Sequence, residues 1–187
     1  SQRIAVTGHS EMQITQDAGS TDGYMHAGRT TGGLAAAIPG HNKIAVSFSA
    51  AKLADTACVA STFRFRASGT PSNVINPFAT NDKGELYIMG KDAEGQTVTQ
   101  KVGTLDTTYQ NFTIVIDFEE QTVAGYAEDT LVTDVLTLVL PNEAGTKTAK
   151  QWSAGATGYL FYWYVSSNGS DSARALLLDN IKVVACN

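Results

Sequence analysis

Residues 158–165 read Gly-Tyr-Leu-Phe-Tyr-Trp-Tyr-Val. Successive side chains of a strand point to opposite faces of a sheet, so this stretch would place aromatic rings on both faces. The two faces would consist of Tyr159, Phe161, Trp163 and Val165 on one side and of Leu160, Tyr162 and Tyr164 on the other. One face can fill a core. The other would then present rings with polar tips, which stack well on a partner.

Length and composition indicate one folded domain. The chain has 187 residues, of which 43% are apolar and 17% charged, and it holds 17 glycines but only 4 prolines. Such a composition is typical of many short strands joined by turns. We therefore expect a single β-sandwich domain over residues 1–187.

Charge and hydropathy exclude two classes of partner. The formal net charge is −5 and the basic residues form no cluster, so we expect no nucleic-acid partner. No apolar stretch approaches the roughly 20 residues that a membrane span needs, so we expect no membrane insertion. The chain is typical of a soluble module of a larger protein.

Alternating apolar residues predict a succession of short strands with almost no helix. The predicted strands cover residues 3–7, 11–16, 43–49, 58–67, 85–89, 96–102, 111–117, 121–127, 130–140, 159–165 and 173–185. Polar, glycine-containing segments at 17–33, 69–76 and 142–157 are predicted loops. Short strands separated by turns favour an all-β fold in which two antiparallel sheets pack face to face.

Two segments resemble a known superfamily. Residues 109–117, Tyr-Gln-Asn-Phe-Thr-Ile-Val-Ile-Asp, with the return strand 122–126, resemble the central hairpin of concanavalin A-like jelly rolls. Residues 175–184, Ala-Leu-Leu-Leu-Asp-Asn-Ile-Lys-Val-Val, resemble the last strand of those sandwiches. The resemblance implies a concanavalin A-like jelly roll. That class includes carbohydrate-binding modules, glycoside hydrolases, polysaccharide lyases and laminin-G-like modules, so the fold alone does not decide the function.

The same resemblance implies a structural calcium ion held in part by Asp179. Calcium prefers hard oxygen ligands, and Glu11, Asp17 or Asp22 could supply further carboxylates. An aspartate on a strand can equally accept hydrogen bonds from a neighbouring loop. The cysteines leave a similar choice open, since Cys58 and Cys186 could form one disulfide or remain unrelated thiols.

The sequence gives no positive sign of catalysis. It lacks the Glu-x-Asp-x-x-Glu string of laminarinase-type hydrolases, and the nearest acidic group, at residues 117–120, is predicted to be a solvated turn. It also lacks the Arg-x-Glu-Leu and Gln-Ile/Val-His strings of alginate-lyase-type enzymes. Arginines, tyrosines and His26 or His41 could still be assembled into a lyase site.

Our leading hypothesis is a non-catalytic carbohydrate-binding module of a secreted or cell-surface protein, with a polysaccharide or other glycan as its partner. Sugar recognition needs aromatic faces for the pyranose ring and a few directional polar groups. The candidate stacking residues are Tyr162, Tyr164 and Trp152, and the candidate hydrogen-bond donors are Arg64 and Arg66.

Three alternatives stay open. The other face of the aromatic strand could form the platform, with Tyr159, Phe161 and Trp163, or both faces could be core. The protein could be a polysaccharide lyase or glycoside hydrolase of jelly-roll type. It could also be a laminin-G-like adhesin module that binds protein.

Overall fold

The computed structural model describes residues 2–7, 11–18, 24–31, 43–67, 74–139, 159–166 and 172–186, and every regular element in these ranges is a β-strand. No helix of this part of the chain is long and apolar enough to cross a membrane. The strands are β1 Gln2–Thr7, β2 Glu11–Gln16, β3 Tyr24–Thr31, β4 Lys43–Ala51, β5 Ala57–Cys58, β6 Ser61–Ala67, β7 Val74–Thr80, β8 Glu85–Lys91, β9 Thr97–Thr104, β10 Gln110–Asp117, β11 Thr122–Ala127, β12 Thr130–Leu131, β13 Leu136–Thr137, β14 Tyr159–Ser166 and β15 Arg174–Cys186.

The strands form two layers. The first layer has the order β1-β2-β15-β4-β10-β11, and the second has the order β9-β8-β7-β6-β14-β3. Strand β13 pairs with both β11 and β8, so the layers are joined as one curled sheet. All pairings within these two orders are antiparallel. The predicted all-β antiparallel sandwich is confirmed.

Aromatic rings from both layers meet in the core. Phe48 of the first layer stacks on Phe78 of the second, with ring centroids 5.4 Å apart. Trp163 meets Phe63 edge to face at 4.8 Å and Phe48 at 5.7 Å. Because such rings bury large apolar areas, this cluster holds the two layers together. It also shows which face of β4, β6, β7 and β14 points inward.

Two predicted loops contain strands. Strand β3 lies within residues 17–33. Its polar composition favours a loop, but it pairs with β14, which is distant in sequence. Strand β7 begins within residues 69–76 and contains Pro77. A proline is tolerated inside a sheet at a bulge. The register of β6 against β7 shifts at this point.

The predicted strand over residues 130–140 is wrong in its length. Within residues 130–139 only β12 and β13 pair, over two residues each. Between them the Thr133 hydroxyl accepts the N–H of Gly125, and the N–H of Asp134 donates to the Gln100 side chain. These bonds turn the chain away from a regular ladder. Four apolar side chains are exposed as a result: Leu131, Val132, Val135 and Val139.

Candidate functional site

The structure decides which face of β14 is core. Trp163 and Val165 are only 3% and 1% exposed, whereas Tyr164 between them is partly buried and points to the other side. The alternative platform containing Trp163 is therefore wrong, because that ring packs between the layers. The surface on which Tyr164 lies is called the outer face below, meaning the side of the second layer turned away from the core.

A row of paired residues crosses the outer face. Tyr164 pairs with Thr62, Thr62 with Ala79, Ala79 with Tyr87, and Tyr87 with Lys101. Neighbouring strands lie about 4.8 Å apart, so the two tyrosines are separated by about 14 Å. The residues between them, Thr62 and Ala79, are small. Two rings thus flank a stretch of low side chains.

Arg64 lies directly over one of these rings. Its guanidinium carbon is 3.3 Å from the centroid of the Tyr164 ring, which is a cation–π contact. The two residues share the outer face because Arg64 pairs with Tyr162, the outward neighbour of Tyr164 along β14. The contact holds the ring and the cation in a fixed relative position.

Of the remaining predicted site residues, the structure describes the backbone of two and nothing of the third. Arg66 pairs with Leu160, and Tyr162 pairs with Arg64, so their backbone positions belong to the outer face. The side chains of Arg66 and Tyr162 lie outside the described part of the structure, as does the whole of Trp152. The structure therefore brings together two of the five predicted side chains, Arg64 and Tyr164.

A bulge lies beside the Arg64 side chain. Phe63 pairs with Phe78 but Phe65 pairs with Ile75, so Arg64 faces the extra residues at positions 76–77 of β7. Within the described chain, the buried Arg64 Nε and the buried Asn76 Oδ1 have no hydrogen-bond partner. Bulges often re-aim side chains near functional sites. A donor and an acceptor are thus left unsatisfied at one point of the sheet.

The far end of the row holds polar groups that the sequence analysis missed. An open hollow of about 520 Å³ is lined by Asn81, Glu85, Tyr87, Thr99 and Lys101. Asn81 Nδ2 donates to Glu85 Oε2 at 2.8 Å, and Lys101 Nζ lies 3.7 Å from Glu85 Oε1. The hydrogen bond from Asn81, with the charge of Lys101, holds the pKa of Glu85 below its usual value. This carboxylate is a fixed acceptor beside the Tyr87 ring.

Asp179 lies at an irregular point of β15. Its Oδ1 accepts the N–H of Asn180, which has a left-handed φ of 52°, and the register against β4 shifts just beyond it. The β2–β15 pairing ends at Leu178 and Met12, so Glu11 is the next residue along and Asp17 lies at the opposite end of β2. Asp22 lies outside the described residues.

The calcium site implied by the resemblance stays a prediction. Among the described residues, no three His, Cys, Asp or Glu side chains form a group that could hold a metal ion. A calcium ion at Asp179 would need further carboxylate and backbone carbonyl oxygens, a combination that calcium accepts.

The two cysteines are far apart. Cys58 is a buried free thiol whose neighbour in β15 is Ala175, whereas Cys186 pairs with Lys43 at the other end of β15. Eleven residues of strand span roughly 36 Å. A disulfide needs Cα atoms within about 7 Å, so these residues do not form one. Burial raises the pKa of the Cys58 thiol to about 11.

The acidic turn at residues 117–120 is not simply solvated, as the sequence analysis predicted. Asp117 is only 5% exposed, and its Oδ2 lies 2.8 Å from Lys43 Nζ. Its Oδ1 accepts the N–H groups of Glu119 and Glu120. Burial pushes the pKa of Asp117 upward, but these hydrogen bonds and the Lys43 charge outweigh it and lower the pKa. Asp117 anchors the hairpin.

Comparisons with known proteins agree with this architecture. A sialidase structure matches 100% of this chain and 16% of its own, with a TM-score of 0.63 and 9% identity. Alginate lyase A1-II′ of polysaccharide lyase family 7 matches 100% of this chain and 85% of its own, with a TM-score of 0.55 and 10% identity. The chain has the concanavalin A-like jelly-roll fold.

A third structure with this fold is the carbohydrate-binding module CBM66 from Bacillus subtilis. It matches 99% of the chain and 92% of its own length, with a TM-score of 0.54 and 12% identity. The chain spans only 16% of the sialidase and 42% of a botulinum neurotoxin type C structure. No family model and no curated protein matches the sequence. At such low identities the likeness establishes the fold and leaves the function to the site.

Proposed function

We propose that the outer face binds a polysaccharide and that the chain is a non-catalytic carbohydrate-binding module of a secreted or cell-surface protein. The observation that carries this proposal is the contact between Arg64 and Tyr164. An aromatic ring and the guanidinium that lies over one of its faces are held together on the outside of a sheet. Sugars are recognised by that pair of features, an apolar ring surface and directional polar groups.

The dimensions of the face suit a chain of sugars. Tyr164 and Tyr87 lie about 14 Å apart across three strand spacings, which exceeds the width of a single pyranose ring. A ligand that touches both rings would pass over two short side chains, the partly buried Thr62 and Ala79, which is 3% exposed. The hollow lined by Glu85 adds hydrogen-bonding groups at the Tyr87 end of the row. Three of the structural neighbours carry names of carbohydrate-directed proteins, which supports the same class of ligand.

Hydrolysis has less support than binding. Retaining and inverting glycosidases place two carboxyl groups about 5 to 9.5 Å apart across the sugar. On the described outward positions of β6 to β9 and β14, Glu85 is the single carboxylate. The described part of this face therefore offers one half of that catalytic pair.

A binding assay with matched variants tests the proposal. A panel of immobilised polysaccharides would be probed with the parent, Tyr164→Ala and Tyr126→Ala. Tyr126 is the control because it is also partly buried but pairs with Thr113 on the outward side of the first layer. We expect Tyr164→Ala to weaken binding about tenfold or more, which corresponds to about 1.4 kcal/mol, and Tyr126→Ala to bind like the parent.

Two results would contradict the proposal. If no polysaccharide binds, a protein-binding module of the laminin-G type becomes the better hypothesis. If the parent binds but Tyr164→Ala binds equally well, the outer face at Tyr164 is not the site.

A polysaccharide lyase is the second candidate. Lyases need a cation or amide that neutralises the uronate and a Tyr or His that moves the proton. Arg64 and Tyr164 are in contact, and the backbone of His26 pairs with that of Tyr164. Turnover of a uronate polymer would appear as ultraviolet absorbance of the unsaturated product. Its loss in Tyr164→Phe would establish the lyase, whereas binding without any absorbance would leave the binding module.

A further inference from the structure

The outer face is positively charged although the chain is negatively charged. Its described side chains include Arg64, Lys91 and Lys101 but one carboxylate, Glu85. The backbone pairing of Arg66 with Leu160 places that residue at a further position of the same face. The whole chain has a formal net charge of −5, so the positive charge is a local feature. A surface of one sign attracts ligands of the opposite sign.

Arg64 differs from the other paired cations of the described chain. Lys43 is bound to Asp117, Lys101 lies near Glu85, and Arg174 Nη2 lies 3.9 Å from Asp82. Within the described residues, the Arg64 guanidinium has a ring as its partner and no carboxylate. A partly buried charge without an opposite charge is costly, and a bound anion would offset that cost.

The orientation of the guanidinium fits a carboxylate. Tyr164 covers a face of the planar group, so its N–H bonds point sideways in the plane. Nε and a neighbouring Nη form the fork that donates two parallel hydrogen bonds to a carboxylate. The buried Nε of Arg64 has no acceptor within the described chain. One donor of that fork is therefore unpaired within the described chain.

Asn76 supplies the complementary group. Its Oδ1 is buried without a donor in the described chain and lies on the bulged strand that faces Arg64. An amide oxygen accepts hydrogen bonds, and sugar hydroxyls donate them. A sugar acid carries both a carboxylate for the arginine and hydroxyls for the amide.

We propose that the polysaccharide bound at the outer face is acidic and that Arg64 binds a carboxylate of one of its sugars, next to Asn76. This inference rests on the proposed function and narrows it to one class of ligand. It concerns recognition, so it holds for a binding module and for a lyase alike.

The experiment compares two forms of the same polymer. A polyuronate and its carboxyl-reduced derivative, in which each carboxylate has become a primary alcohol, are titrated against the parent, Arg64→Lys, Arg64→Gln and Lys182→Gln. Lys182 is the matched control, since it is an exposed cation of β15 in the first layer. Each variant is first checked for the parent's thermal unfolding midpoint.

We expect the parent to bind the polyuronate about tenfold or more tightly than the reduced polymer, because charge-assisted forked pairs are the strong hydrogen bonds. Arg64→Gln should abolish that preference, Arg64→Lys should retain part of it, and Lys182→Gln should keep it whole. The preference should also shrink as salt rises.

The outcomes separate this inference from the proposed function. If the parent binds the two polymers equally well, the proposal that the ligand is acidic is wrong, whereas the proposal of carbohydrate binding stands. This comparison uses the parent alone, so it is conclusive even if the Arg64 variants fail to fold. A preference that survives in Arg64→Gln would overturn the role of Arg64. Binding of no polysaccharide at all would overturn both proposals.

Discussion

Replacing Trp163 and Tyr164 by alanine, one at a time, should have opposite effects on stability and on binding. The two residues are neighbours on β14, yet Trp163 points into the core and Tyr164 points to the outer face. The pair of variants therefore tests the assignment of the two faces with a minimal change of position along the chain.

The structure gives the expected magnitudes. Removing a buried tryptophan costs about 3–5 kcal/mol of unfolding free energy. The Trp163 ring also meets three phenylalanines edge to face, at 5.7 Å for Phe48, 4.8 Å for Phe63 and 6.2 Å for Phe78. Such contacts place the cost of Trp163→Ala at about 5 kcal/mol. Tyr164→Ala loses a cation–π contact, which contributes about 0.5–2 kcal/mol.

Urea unfolding followed by far-ultraviolet circular dichroism measures both costs without relying on tryptophan emission. In thermal unfolding, about 5 kcal/mol corresponds to a drop of roughly 10–20 °C for a domain of this length. Trp163→Phe, which keeps a ring, provides a milder variant if Trp163→Ala does not fold. A Tyr164→Ala variant as destabilised as Trp163→Ala would refute the assignment of the faces.

Three further predictions concern single side chains. Because the folded pKa of Asp117 lies below its unfolded value of 3.8, its stabilisation is present above pH ~4 and lost as pH falls through the folded pKa. Asp117→Asn should therefore be less stable than the parent near neutral pH, and its stability should fall less steeply as the pH is lowered below about 4. An unchanged loss of stability in acid would count against the ion pair with Lys43. Cys58 should resist thiol reagents at about pH 8 until the protein unfolds, since the protonated thiol is unreactive, and rapid labelling of the native protein would contradict its burial. Tyr87→Ala should weaken binding of long oligosaccharides about tenfold and spare the shortest ligands, whereas equal losses at every length would place Tyr87 outside the extended site.

Local patterns were enough to predict the hairpin and the aromatic strand. The alternation in residues 111–127 gave strands within one residue of β10 and β11, because this hairpin is stabilised by neighbours in sequence. The alternation in β14 also assigned Trp163 and Val165 correctly to one face and Tyr164 to the other. It could not tell which face is core, since that depends on Phe63 and Phe48, which lie far away in sequence.

The rest of the site depends on register across several strands. The opposition of Arg64 to Asn76 follows from a bulge between β6 and β7, and the predicted loop over residues 69–76 overlaps the first residues of β7. Tyr87 already stood opposite Leu86 and Ile88 in the alternation of residues 85–89, so its outward position was readable. The sequence could not show that Tyr87 lies in one row with Tyr164, because that row runs through three strand pairings.

Chemical-shift mapping of the ¹⁵N-labelled protein during titration with the polysaccharide that binds best in the panel tests the central claim most directly. The claim is that the ligand lies on the outer face of the second layer. We expect the largest amide shifts in Ser61–Ala67, Tyr159–Ser166 and Glu85–Lys91. Shifts confined to Lys43–Ala51 and Gln110–Asp117 of the first layer would contradict the account.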